Sequence, residues 1–148
     1  MEKKIVDARE YLSILRELTQ QGKEVSLLIT GNSMSPFLVH ERDRICFKKP
    51  DTPLKKGDMV FFQRRDGAFV MHRICRVRPE GYYLVGDAQT WIEGPIAPEQ
   101  IFARVTKIQR KGRQIGPENG IWKFFQYVWI RIIPLRPFLV RFYTRIVK

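Results

Sequence analysis

Two short segments hold the residue types that hydrolytic chemistry needs. One reads Gly31-Asn32-Ser33-Met34-Ser35-Pro36, and 39 residues after Ser33 the other reads Val70-Met71-His72-Arg73-Ile74. A serine hydroxyl is a weak nucleophile. It needs a neighbouring base to take its proton and N–H donors to hold the oxyanion that forms on an attacked carbonyl. Gly31 permits a sharp turn, and Pro36 fixes the chain leaving it. Such a turn can expose the hydroxyl and aim main-chain amides at one spot. The same residues could equally make an ordinary Gly-Asn-Ser turn.

His72 lies in an apolar strand-like run. Alternation places it opposite Met71 and Arg73, on the side shared with Val70 and Ile74. That side is expected to be buried or to line a cleft. Neutral imidazole titrates near neutrality and is the usual base for serine; a core histidine bonded to a carbonyl is the plainer reading. Gly86-Asp87 follows the strand-like Tyr82–Val85, and Glu93 comes six residues later. Either carboxylate could orient an imidazole and stabilise its cation. Asp87 could also cap its own turn, and Glu93 could be a solvated loop residue.

In this order the parts resemble the serine peptidases of the signal peptidase I superfamily, which includes the self-cleaving SOS repressors. That family's Gly-x-Ser-Met-x-Pro box is matched by Gly31, Ser33, Met34 and Pro36. Its bacterial members and the repressors place a lysine base about forty residues later. Archaeal and endoplasmic-reticulum members have His-Arg there, and His72-Arg73 resembles that version. The family's Gly-Asp motif is matched by Gly86-Asp87, and Glu93 stands where a late aspartate would be. The resemblance spans about residues 25–108. It implies Ser33 as nucleophile, His72 as general base, and Glu93 or Asp87 as the orienting carboxylate. It also implies an extended peptide or protein substrate, with no metal or cofactor. Three features depart from the family pattern. A charged helix stands where a membrane anchor is usual, Glu41-Arg42-Asp43 replaces an early Gly-Asp, and Glu93 is one methylene longer than aspartate. These departures leave a second reading open: a catalytically inactive peptide- or membrane-binding module of the same fold.

The elements that must position these residues can be read from periodicity. Ile5, Ala8, Tyr11, Leu12, Leu15 and Leu18 recur at spacings of three and four, which predicts a helix over residues 3–21 ending at Gly22. Strands are expected at Val25–Thr30, Arg44–Phe47, Met59–Gln63, Ala68–Val77, Gly81–Val85 and Ile101–Ile108. Arg64-Arg65-Asp66-Gly67 signals a hairpin, and Lys111-Gly112-Arg113 a last small one. The tail, Gly120 to Lys148, holds eight of the eighteen aromatics, and Pro134 and Pro137 are expected to divide it into two short helices. The fold class is therefore mainly β, a signal-peptidase/SOS-repressor-like fold. Its expected parts are an N-terminal helix over residues 1–24, a β-rich peptidase core over 25–116, and a basic aromatic helical tail over 117–148.

Composition sets the wider bounds. At 148 residues and 44% apolar, the chain suits one globular domain. Cys46 and Cys75 fit no metal spacing and read as buried, reduced thiols. The formal charge is +12, and half of it falls in residues 121–148, which hold six basic residues and no acid. Aromatics interleaved with arginines suit a membrane interface, so residues 120–148 are expected either to touch a membrane peripherally or to pack their rings on the β-core with the arginines exposed. Charges interrupt residues 2–24 throughout, and no run reaches 18 apolar residues, so neither a signal peptide nor a spanning helix is expected. A cytoplasmic protein, peripheral on the inner membrane face, fits these features. Nucleic acid is a poor fit despite a pI near 10.1: no helix-turn-helix, zinc or RNA-binding fingerprint is present.

Overall fold

Short apolar and β-branched runs between turn residues dominate the middle of the chain and favour a sheet. The computed structural model describes residues 8–31, 34, 36–139 and 141. Ser33, the expected first turn of the N-terminal helix and residues 142–148 lie outside that set. Among the described residues, eight antiparallel strands follow one helix: β1 (Val25–Leu28), β2 (Asp43–Lys48), β3 (Met59–Gln63), β4 (Phe69–Arg78), β5 (Gly81–Val85), β6 (Glu93–Ile96), β7 (Ile101–Arg110) and β8 (Arg113–Ile115). They form one sheet in the order β1-β2-β7-β3-β4-β5-β6, with β8 beside β7. The architecture is mainly β, as the sequence predicts. β2, β4 and β7 differ from expectation by one or two residues at their ends, and two further differences stand out. β1 stops at Leu28, and β6 occupies a stretch that the sequence reads as loop.

The central strand β3 feeds two cores, because neighbouring side chains point to opposite faces. Phe61 joins the larger core with Phe37, Phe47, Phe102 and Ile108. Val60 and Phe62 join a smaller one with Ile74, Leu84 and Ile96. β4 lies between β3 and β5, and its register sets Arg73 opposite Met59 and His72 opposite Val60. Adjacent residues on one strand thus carry an arginine to one face and a histidine to the other. The turn before β4 is the expected hairpin: Arg64 N–H bonds Ala68 O at 2.8 Å and Gly67 N–H bonds Arg64 O at 2.8 Å.

Helix α1 (Ala8–Gln20) packs Leu15 into the larger core, with Leu12 and Leu18 alongside. Gly22 ends it in the left-handed region, at φ +83°, where its N–H reaches Thr19 O and Lys23 N–H reaches Leu18 O. Arg16 Nη1 donates to Gln63 Oε1 at 2.6 Å and ties the helix to β3.

The tail is helical from Gly120 to Arg131. It begins as an α-turn, α2 (Gly120–Lys123), widens to a π-turn over Phe124–Val128, and tightens to a 3-10 turn over Trp129–Arg131. Asn119 caps it, its side chain accepting from the N–H groups of Ile121 and Trp122. Pro134 sits in a separate 3-10 turn. Residues 136–139 are helical again, so the tail is divided into two helical stretches, with Pro134 in the turn between them and Pro137 in the first turn of the second. Trp122, Phe125 and Trp129 belong to the larger core. The Gly57 turn lies so close to the tail that a Cβ there would be 2.6 Å from the Gln126 carbonyl oxygen.

Candidate active site

The chain on either side of Ser33 is held from several directions. Gly31 turns in the left-handed region at φ +93°, and its N–H donates to His40 Nδ1 at 2.7 Å. Met34 is buried, and its sulfur accepts from Asp87 N–H at 3.4 Å. Phe37 is driven into the tail aromatics, 4.9 Å from Phe125 and edge-on to Trp122 at 5.9 Å. Its carbonyl accepts from Arg110 at 2.6 Å. Asp43 completes the bracing: it accepts from Arg42, Arg110 and the Val39 N–H. Burial pushes the Asp43 carboxyl up, but those donors outweigh it and hold it below its ordinary value. The Glu41-Arg42-Asp43 segment thus supplies a structural clamp.

His72 is 2% exposed. Phe62 and Trp91 flank its ring at 6.0 and 6.1 Å, Trp91 edge-on. Burial lowers its pKa from 6.5 to about 4, against the raising influence of Glu93 and a further lowering by Arg64. The imidazole is therefore neutral at physiological pH. Its Nδ1 is buried and has no hydrogen-bond partner among the described residues. A plain core histidine would carry such a bond. A cavity of about 350 Å³ is lined by Gly31, Met34 and His72, with Leu12, Leu27 and Phe69 among its apolar walls. The two ends of the serine turn and the histidine therefore open on one space.

Neither candidate carboxylate bonds His72. Asp87 is fully buried and gives both oxygens to Arg73, at 2.9 and 2.8 Å. Arg73 also donates to Gly57 O at 2.9 Å and lies over the Phe37 ring at 5.4 Å. Glu93 gives both oxygens to Arg64, at 2.8 and 2.9 Å. Its charge still acts on His72 through space, and Asp87 does so more weakly. The Gly86–Gln89 turn is pinned by the tail: Trp129 Nε1 donates to Asp87 O, and Arg136 donates to Gly86 O and Gln89 O. Both cysteines are free and buried, and burial pushes their thiols up, so neither is primed as a nucleophile. No cluster of metal-ligating side chains occurs among the described residues.

A family model described as Peptidase S24-like matches residues 2–108. The chain belongs to the Peptidase S24-like family. The assignment agrees with the mainly β sheet and makes a peptidase role the general expectation for this S24-like domain. Comparison with curated proteins and with solved structures gave no match. The matched region stops short of the tail, yet tail side chains grip both Phe37 and the Gly86–Gln89 turn of the S24-like domain.

Two site features escape a reading of the sequence alone, and a third was open to it. His40, the second histidine, backs the serine turn through Gly31 and pairs with Glu41 at 2.9 Å; no spacing rule points to it. Arg136 was expected to face solvent if the tail packed on the sheet, and it is instead buried over the Trp129 ring. The Arg73–Asp87 pair did leave a signal. An arginine inside one apolar strand and an aspartate in the turn just after another must find each other, because an unpaired buried charge is costly.

Proposed function

We propose that the protein is a serine endopeptidase in which Ser33 is the nucleophile and His72 the general base. Ser33 attacks a peptide carbonyl while His72 accepts its proton, giving a tetrahedral intermediate whose oxyanion is held in part by the Ser33 N–H. The imidazolium then protonates the leaving amine, and water hydrolyses the acyl-enzyme through the same pair. The observation that carries this reading is the shared cavity of Gly31, Met34 and His72, together with a buried imidazole that is neutral and whose Nδ1 has no partner among the described residues. Family membership supports peptidase chemistry in general.

Glu93 is the carboxylate assigned to stabilise the His72 cation, acting through space. Asp87 is assigned a positioning role, since both of its oxygens are committed to Arg73. His72 stands in for the lysine base of the bacterial members, as in the archaeal and endoplasmic-reticulum variant. The substrate is an extended peptide laid beside β1, whose outer edge has no strand neighbour among the described residues. The apolar walls at Leu27 and Phe69 favour apolar or small side chains near the cut.

One observation favours the second reading, a binding module without catalysis: Glu93 is engaged by Arg64 rather than by the imidazole. The Ser33→Ala variant tests the first reading. Loss of peptide cleavage with an unchanged melting curve supports it, and retained cleavage excludes Ser33 as nucleophile.

A further inference from the structure

The tail helix is apolar on two sides, and among the described residues one of them is buried in the core while the other stays largely exposed. Trp122, Phe125, Trp129 and Ile130 turn inward and are buried. Ile121, Phe124, Tyr127 and Val128 recur at helical spacing on the other side, each between 42% and 52% exposed. The outward series continues through Leu135, Phe138 and Leu139, with Phe138 at 68%. Thirteen large apolar residues are exposed among those described, and seven of them fall within residues 121–139. Scattered single exposures need no explanation, but a concentration of this kind does.

The charge around this face has one sign. Residues 121–148 contain no aspartate or glutamate. Lys123 and Arg131 are exposed beside the apolar series, and Arg145 and Lys148 add to the charge by sequence. Arg136 makes no contribution, since its guanidinium is spent on Trp129 O, Gly86 O and Gln89 O. The outward face is also poor in directional polar groups. Gln126, the one amide in the helix, is buried. A protein partner of ordinary kind would be met by hydrogen-bond groups at intervals across the contact. A bilayer surface asks only for an apolar wedge and positive charge.

We infer that residues 120–139 form an in-plane docking surface for an anionic lipid membrane, with Ile121, Phe124, Tyr127 and Phe138 entering the headgroup boundary and Lys123 and Arg131 meeting lipid phosphate. No helix among the described residues is long and apolar enough to cross a membrane, so the attachment lies along the surface. The inward side of the same helix holds Phe37 and the Gly86–Gln89 turn. Docking therefore fixes how the His72 cavity is presented to the lipid. The inference stands apart from the peptidase reading, because it needs neither Ser33 nor His72 to react.

The test is co-sedimentation of the full chain with vesicles of phosphatidylglycerol and phosphatidylcholine, beside vesicles of phosphatidylcholine alone. The anionic vesicles should pellet the protein, the neutral ones should bind it at least about tenfold more weakly, and salt should release it. Tyr127→Ser with Phe138→Ser, both solvent-facing, should weaken binding by about tenfold or more with an unchanged melting curve. Lys123→Gln with Arg131→Gln should weaken binding to anionic vesicles only. Binding that ignores these substitutions overturns the inference. So does absence of binding to anionic vesicles, whether the protein stays monomeric or self-associates through this face in a manner that Phe138→Ser abolishes.

Discussion

Arg73 and Asp87 meet through two parallel hydrogen bonds of 2.9 and 2.8 Å, with both side chains shielded from water. The pair sits where the strand bearing His72, the Gly57 turn and the tail come together. Breaking one half of such a pair strands a buried charge and costs about 3–5 kcal/mol, while replacing both halves by apolar groups of similar volume is often near neutral. Asp87→Ala should therefore lower unfolding free energy by about that amount in urea titrations. Arg73→Met combined with Asp87→Leu should recover most of the loss. Equal destabilisation by the single and double variants would show that the pair is not the source.

The neutral state of His72 has a pH signature. Folding lowers its pKa to about 4 from 6.5, chiefly through burial, so the unfolded chain takes up this proton first as pH falls. The stability contributed by a neutral His72 is fully present above about pH 6.5 and drains toward pH 4, by up to ~1.4 kcal/mol per pH unit. His72→Phe should flatten the wild-type stability curve over that window in denaturant titrations at stepped pH. An NMR titration of the imidazole should place its midpoint well below that of an ordinary histidine.

Arg64 and Glu93 push His72 in opposite directions. Arg64→Met removes a lowering charge and frees Glu93, so the acid limb of kcat/KM should move to higher pH. Glu93→Gln removes a raising charge, so the limb should move lower and kcat should fall. Both shifts can be read from the imidazole titration as well as from rates. Shifts in one common direction would remove Glu93 from its assigned role.

His40 is predicted to position the serine turn. Its Nδ1 accepts the Gly31 N–H at 2.7 Å, and it lies largely at the surface. A hydrogen bond of this kind contributes about 1 kcal/mol. His40→Ala should thus lower kcat by up to about tenfold with a small change in melting temperature. His40→Gln, which keeps an acceptor, should recover part of the rate. A loss of stability matching the loss of rate would make His40 merely structural.

Local signals carried most of the sheet. β3 and β5 fall where short apolar runs bounded by turn residues put them, and Gly22 ends α1 because few other residues tolerate φ +83°. β6 was missed for a physical reason: Gly94 and Pro95 both weaken a strand pattern, and such residues survive at a sheet edge, where β6 lies. Position 72 was legible as buried or cleft-lining because Val70 and Ile74 on its side of the strand are apolar, but the drop of its pKa to about 4 was not. The partners of Asp87 and Glu93 were not, since a carboxylate's choice between a histidine and an arginine depends on register across β4, β5 and β6. The tail's double role was half legible. Its aromatic content was plain, but its rings divide between core and surface according to contacts with Phe37 that lie about ninety residues away in sequence.

The central claim is that Ser33 reacts because His72 takes its proton. A fluorophosphonate probe followed by peptide mapping reads this directly, since such a probe bonds only to an activated hydroxyl. The account predicts an adduct on Ser33 in the wild-type chain, greatly reduced labelling in folded His72→Ala, and none in Ser33→Ala. An unlabelled Ser33 across the neutral pH range, or an adduct undiminished by His72→Ala, would contradict it.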